Sequence, residues 1–450
     1  MPLFLLKRVK CGETRVVEGS QVLLRRVLIV SGMVMVPIAV HGQSLDEAVR
    51  TTLRTNPDIL ASKYNVEAAE QLRKQARSGY FPVMDLTYAG GEETSNNTTT
   101  RAANLDDFRL IREERSVKIT QLLYDGFATR NFVKQQVALL DAALARLGSS
   151  QENISLRAIQ VYLEVLRRDV VVGLAGENLD EHDTTLNKIS ERFENGVGTK
   201  VDVVQTRGRR AQAKSAVLLT QKDAKNGRAE FFRVVGEHPA YLKDPVAISG
   251  LPQTLEEALE LASNKNPGLK AAEAELEAAV AARKQARGSF HPRFDLELGA
   301  TRNDDTDGSE GANDDETAVV RVTYNVFRGG ADRARLNEAE AREFGARETL
   351  RSTHLAIEED VTLIWNELED ILVRLEYLEA HVKSTEEVLK VYNEQLTLGK
   401  RTLLDLLDVQ NELLRARIAF ISGQYTATLA RYRVLTSTGL LLETMGVTSE

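Results

Sequence analysis

Few residues in this 450-residue chain carry a spacing suited to chemistry. The histidines, at positions 41, 182, 238, 291, 354 and 381, form no HExxH or other metal-ligand pattern. His182 and His381 read as ordinary positions on long helices. The stretch Gly196-Val197-Gly198-Thr199-Lys200 has the composition of a phosphate loop but lacks its GxxxxGK spacing. Asn97-Thr98-Thr99 matches a glycosylation triplet and reads as loop composition. Arg207, Arg209 and Arg210 sit among polar neighbours on a helix and read as a solvated face. What remains is a pair of carboxylates, Asp405 and Asp408, just after Gly399 and Arg401. On residue type alone they are acids at a helix N-terminus, where the dipole favours them. No catalytic residue, cofactor or metal is expected.

The element that positions these carboxylates is the stretch 361–408. Apolar residues fall at Val361, Ile364, Leu368, Ile371, Leu375, Leu378, Val382, Leu389, Tyr392 and Leu396, with Thr385 in the one polar slot. Steps of three and four residues make a heptad seam, the pattern of helices packed knobs-into-holes. Gly399 then ends the helix. Subtracting 203 lands on a second copy, with Val161, Val165, Val172, Leu179, Leu186, Ile189, Phe193, Gly196 and Asp202. A further duplication joins 44–90 to 254–300 at an offset of 210: Asn56-Pro57 matches Asn266-Pro267, and Lys74-Gln75-Ala76-Arg77 matches Lys284-Gln285-Ala286-Arg287. Each copy opens on a capping pattern, Ser44/Glu47 and Thr254/Glu257. Residues 83–238 and 293–450 hold no proline, the strongest helix breaker, so most of the chain should be long helix.

After Pro82 and Pro292 the period changes from 3.6 to 2. Strands are predicted at about 84–90 and 115–124, and at about 294–300 and 318–327, with polar tips at 90–108 and 301–316. Long helices follow at about 128–194 and 331–398, with return helices at about 202–236 and 404–437. At 1.5 Å per residue the long ones are rods of about 100 Å that must pack along their seams. The expected partition is a leader at 1–42, a first repeat at 43–236, a linker at 237–253 and a second repeat at 254–450. The leader reads as a signal peptide: Arg25 and Arg26 precede the apolar run 27–40, with a cut expected after Gly42. Its Cys11 is the single cysteine and lacks a lipoprotein context, so the mature chain has no disulfide.

The formal net charge is −8, and the leader's six Lys/Arg and two Asp/Glu leave the remainder near −12, which argues against nucleic acid. No later apolar run is long enough for a spanning helix, so a membrane crossing would need strands. Two isolated hairpins are not stable alone, and apolar-out strands in an exported chain fit a barrel shared between subunits. The competing reading is a soluble periplasmic coiled-coil scaffold or adaptor.

The order helix, hairpin, long helix, glycine turn, return helix, twice over, resembles the TolC-type outer membrane factor family across about 44–440. The residues that carry the resemblance are the two Asn-Pro openings, the turns Tyr124–Gly126 and Phe327–Gly330, and the twin turns 192–205 and 396–408. The resemblance implies a mainly α fold with a β-barrel portion, in which a homotrimer forms a coiled-coil tunnel continuing a shared twelve-stranded transmembrane barrel. It implies an outer membrane location, with the tunnel in the periplasm, and a passive exit duct for a tripartite efflux pump or type I secretion system. The implied partners are a periplasmic adaptor and an inner-membrane transporter. By the same resemblance Asp405 and Asp408 form carboxylate rings at the periplasmic entrance, and Arg401 and Asp202 form a latch between helices. Gly196 and Gly399 are the helix-turn glycines. Carboxylates so gathered raise each other's pKa and attract cations. One departure stands out: Leu396 occupies the family's latch tyrosine position.

Overall fold

The computed structural model describes residues 42–246 and 248–447. The expected signal peptide and Cys11 lie outside the described residues, Gly42 excepted. Two short helices open the chain, α1 (Leu45–Thr55) and α2 (Pro57–Ser78), then a hairpin of β1 (Val83–Ser95) and β2 (Phe108–Tyr124) carrying α3 (Thr98–Ala102) at its tip. The 67-residue α4 (Ala128–Glu194) and its return α5 (Lys200–Val235) complete the first half. The second half repeats the order: α6 (Leu255–Lys265), α7 (Pro267–Ala286), β3 (Arg293–Asp304), β4 (Ala312–Thr323), the 67-residue α8 (Ala331–Thr397), α9 (Leu403–Thr438) and a last turn, α10 (Leu441–Thr444).

The Asn-Pro openings have a physical explanation. Asn56 ends α1 and caps α2, accepting the Asp58 N–H at 3.0 Å, while Pro57 fills the first helical position, where no N–H is needed. The Asn56 amide then donates to the Val234 carbonyl at 3.1 Å. Asn266 does the same in the second half, donating to the Ser437 carbonyl at 2.8 Å. One residue type therefore breaks a helix pair and ties it to the end of its return helix.

The main core lies where the short helices wrap the rods. Val49, Ile59, Ile159, Tyr162, Phe231, Leu435 and Leu441 form it. Tyr162 closes it on the linker: its hydroxyl lies 2.8 Å from the Gln43 carbonyl and 2.6 Å from that of Lys243, and accepts the Lys243 N–H at 3.0 Å. Along α8, Val361, Leu368, Ile371 and Thr385 are buried and the other seam positions are half-buried. Thr385 is tolerated there because its hydroxyl donates to the His381 carbonyl one turn back, at 2.8 Å.

The four strands form one antiparallel sheet in the order β1-β2-β3-β4. They are longer than the sequence predicts, and the tips correspondingly shorter: residues 90–95, 108, 301–304 and 312–316, read as loop, are ladder residues. The last strand also ends at Thr323, short of 327. Polar residues on both faces near the tips remove the period-2 signal while the backbone pairing continues. The first hairpin alone has a tip helix. Asn97 caps α3 and donates its amide to the Asp307 carbonyl of the other tip at 2.7 Å, so its side chain is already committed.

Candidate functional site

Two regions carry the features a function would need, the sheet and the paired turns at the far end of the rods. In the sheet, directly paired residues share a face. One face gathers Met84, Leu86, Ile119, Val117, Leu298, Leu296, Val320 and Val322, as the register Leu86↔Val117↔Ala300 and Leu296↔Val320 requires. Leu86 is 76% exposed and Met84 63%. The opposite face carries Asp85, Lys118, Glu297, Thr317 and Arg321, with Glu297 bound by Arg321 at 2.7 Å and Lys118 at 3.4 Å. Among the described residues the outer edges of β1 and β4 have no partner strand, so both edges present N–H and C=O groups beside apolar side chains. Among the described residues no helix is long and apolar enough to cross a membrane.

The two turns are built alike. Helix α4 ends at Gly196 (φ 76°), where the Val197 N–H reaches back to the Arg192 carbonyl at 2.9 Å. Helix α8 ends at Gly399 (φ 70°), with Lys400 N–H on the Gln395 carbonyl at 2.9 Å. Both are Schellman closures, which need a left-handed residue that glycine supplies without strain. A threonine then caps each return helix. Thr199 accepts the Asp202 N–H at 3.2 Å and donates its hydroxyl to the Asp202 carboxylate at 2.7 Å. Thr402 accepts the Asp405 N–H at 3.3 Å, and Asp405 accepts the Thr402 N–H at 3.4 Å.

These bonds fix where the expected site residues sit. Among the described residues no ion pair joins Asp202 to Arg401. Asp202 serves its capping box, while Arg401 lies 3.7 Å from Asp405, donates to Gln395 at 3.1 Å and stacks on the Tyr392 ring at 4.3 Å. The hydroxyl and N–H of Thr402, with the Arg401 charge, hold the Asp405 carboxyl below the usual range. Asp408 is paired across to α5, accepting from Arg209 at 2.7 Å. Arg209 therefore lies in an inter-helix ion pair, where the sequence reading placed it on a solvated face. Leu396 packs beside the tip core of Ile189, Val203, Leu403 and Leu407, and its carbonyl accepts from Arg192 at 3.3 Å. At that position the chain has an apolar contact and a backbone acceptor.

Sequence reasoning missed the capping boxes at both turns, although the Thr-x-x-Asp spacing at 199–202 and 402–405 is visible. It also missed the Arg192 and Arg209 contacts, which span about 200 residues and leave no local signal. Above the tip, Thr185 and Gln410 meet at 3.2 Å beside fully buried His182, whose imidazole is pushed toward the neutral form by burial and by Arg209. A groove of about 870 Å³ lies beneath the sheet between α4, α7 and α8. Its arginines are compensated: Arg293 pairs with Asp295 (2.7 Å), Arg335 with Asp332 (3.6 Å) and Arg342 with Glu338 (2.6 Å). Among the described residues no group of three or more His, Cys, Asp or Glu is arranged to hold a metal ion.

A family model described as outer membrane efflux protein matches residues 48–237 and 258–440, one match to each half. The chain is 24% identical over 426 residues to the outer membrane efflux protein BepC of Brucella suis, covering 94% of this chain and 91% of that one. It is 20% identical over 427 residues to the outer membrane protein TolC of Escherichia coli, covering 90% and 83%. The solved structure of the outer membrane protein VceC of Vibrio cholerae superposes with a TM-score of 0.76 at 19% identity, covering 90% of this chain and 97% of that one.

Proposed function

The chain belongs to the outer membrane efflux protein family, and from that premise we propose that three copies close one continuous duct. It is an outer membrane efflux channel, and members of its family are channels rather than enzymes. In the proposed assembly four strands from each copy form a twelve-stranded barrel in the outer membrane. The long helices continue it as a periplasmic tunnel that narrows at the twin turns. An inner-membrane transporter supplies energy, and a periplasmic adaptor docks the tunnel tip, so the duct serves a tripartite pump or a type I secretion system.

The observation that carries this reading is the sheet: an apolar exposed face, a charged opposite face and two unpaired edges on one four-stranded unit. A barrel closed by further copies satisfies the edges and gives the apolar face to lipid. The scaffold alternative leaves both in water. Around the axis of the trimer Asp405 and Asp408 form the entrance ring, and the Asp202–Arg401 latch joins neighbouring copies.

Single-channel conductance in a planar bilayer tests this, parent beside Arg401→Ser. Discrete steps that grow in the variant support both duct and latch. Steps unchanged by the substitution keep the duct and remove the latch. Folded, detergent-purified protein that gives no steps overturns the duct and leaves the scaffold.

A further inference from the structure

We propose that Arg209 sets the charge selectivity of the tunnel entrance by neutralising Asp408; the proposal rests on the reading that Asp405 and Asp408 ring that entrance. A ring of bare carboxylates would concentrate cations. In this chain neither carboxylate is bare. Asp405 has Arg401 at 3.7 Å on the same turn, and that guanidinium is itself held by Gln395 and the Tyr392 ring. Asp408 has Arg209 at 2.7 Å, delivered from the other half of the duplicated fold.

Arg209 is the half-buried member of its pair and Asp408 the exposed one. Its charge is thus placed by α5, which is packed against α4, and it meets a carboxylate that points outward from α9. The local composition agrees. Residues 191–210 carry five Lys/Arg against three Asp/Glu, and the matching 394–413 carry two against four, so the turn region of one copy is net neutral. An anionic entrance needs the arginines removed or turned away. Arg401 can leave with its own turn, whereas Arg209 and Asp408 are carried by different helices, so parting α5 from α9 separates them. Charge selectivity and opening are therefore coupled through this one contact. A closed tip is close to neutral in its selectivity, and separation of the two helices exposes the carboxylate.

The test is the reversal potential of single channels of the full-length protein under a potassium chloride gradient. Variants are Arg209→Gln, Arg209→Lys, Asp408→Asn and the double Arg209→Gln/Asp408→Asn. Loss of the Arg209 charge should raise the potassium-to-chloride permeability ratio by up to roughly 30-fold, because one unit charge acting at about 4 Å in a water-like dielectric changes each ion about fivefold and in opposite directions. Arg209→Lys should keep the parental ratio, and Asp408→Asn should lower it. The double variant should return close to the parent although the tie is absent. That outcome separates charge neutralisation from a purely mechanical role, for which the double variant would behave like Arg209→Gln. A ratio that moves with Asp408→Asn but not with Arg209→Gln overturns the proposal and leaves the entrance ring intact. A ratio that no variant moves, in channels that conduct normally, overturns the ring itself.

Discussion

Asp202 and Asp405 occupy the same place in two copies of one turn, each the third residue of a return helix and each bonded to the threonine that caps it. The pair shows how the duplication is used. Glycine closes the descending helix, and a threonine–aspartate box opens the ascending one. In both copies the same carboxylate serves the backbone. In the second copy Arg401 adds a charge to the arrangement, while position 198 in the first copy is a glycine.

If these boxes nucleate the return helices, removing the threonine hydroxyl should loosen the tip. Thr402→Val should cost about 1 kcal/mol, as for other cap deletions, and Thr199→Val a similar amount. The measurement is hydrogen exchange over 396–408 and 192–205, compared with exchange in the core around Tyr162. Faster exchange confined to the turns is the expected result. Unchanged exchange would mean the Schellman closures at Gly196 and Gly399 hold the tips without the boxes.

The two faces of the sheet make opposite predictions for one substitution. Leu86→Lys and Val322→Lys each put a charge on the apolar exposed face, where lysine costs roughly 2–4 kcal/mol at mid-depth of a bilayer. Both variants should fail to assemble into outer membranes. Ser116→Lys, on the face that already carries Asp85 and Lys118, should assemble normally. Fractionation of membranes by sucrose density, with the protein detected by blotting, reads the difference. Equal assembly of all three would remove the lipid assignment of the apolar face.

The rods, the duplication and the Asn-Pro openings were legible because each rests on a local signal: a 3.5-residue seam, a fixed offset and a breaker dipeptide. The strand ends were not. Around Glu92 to Thr94 and Asn313 to Asp315 both faces are polar, so alternation vanishes while the ladder runs on. At the tip, the glycines could be read as turn residues from their place after a periodic run. The partners of Asp408 and Leu396 could not, because Arg209 and Arg192 approach from the other half of the chain. Resemblance pointed to the acids and to Arg401, and geometry supplied Arg209.

Buried His182 should make the lower rod acid-labile. Among the described residues its Nδ1 has no partner, and burial and Arg209 lower its pKa below the ordinary 6.5, with Asp183 opposing and neutral Thr185 and Gln410 close by. An unfolded chain therefore takes up the proton first. Stability contributed by the neutral ring is present above about 6.5, falls as pH drops below it, and levels off below the folded-state pKa. His182→Gln should flatten that acid-side loss. Hydrogen exchange of the 178–189 segment at a series of pH values between 7 and 5 reads it, and parallel curves for parent and variant would rule out His182 as the cause.

Glu152 should act in the opposite sense. It is 6% exposed on α4, accepts the Leu442 N–H at 3.3 Å and among the described residues has no hydrogen-bond partner on Oε2, and burial pushes its carboxyl up to about 7. The folded chain thus keeps a proton that the unfolded chain releases near 4.5. The contribution is fully present below that value and is lost as pH rises toward 7, a difference on the order of 3 kcal/mol across the window. Glu152→Gln keeps the shape and the capacity to accept the Leu442 N–H without the charge. It should raise the thermal midpoint at pH 8 and leave it nearly unchanged at pH 4.5, measured by circular dichroism on the detergent-solubilised protein. A gain that is equal at both pH values would place the effect in packing against α10. A loss at pH 8 would mean the ionised carboxylate is stabilised by the backbone amides of 441 and 442 more than burial penalises it.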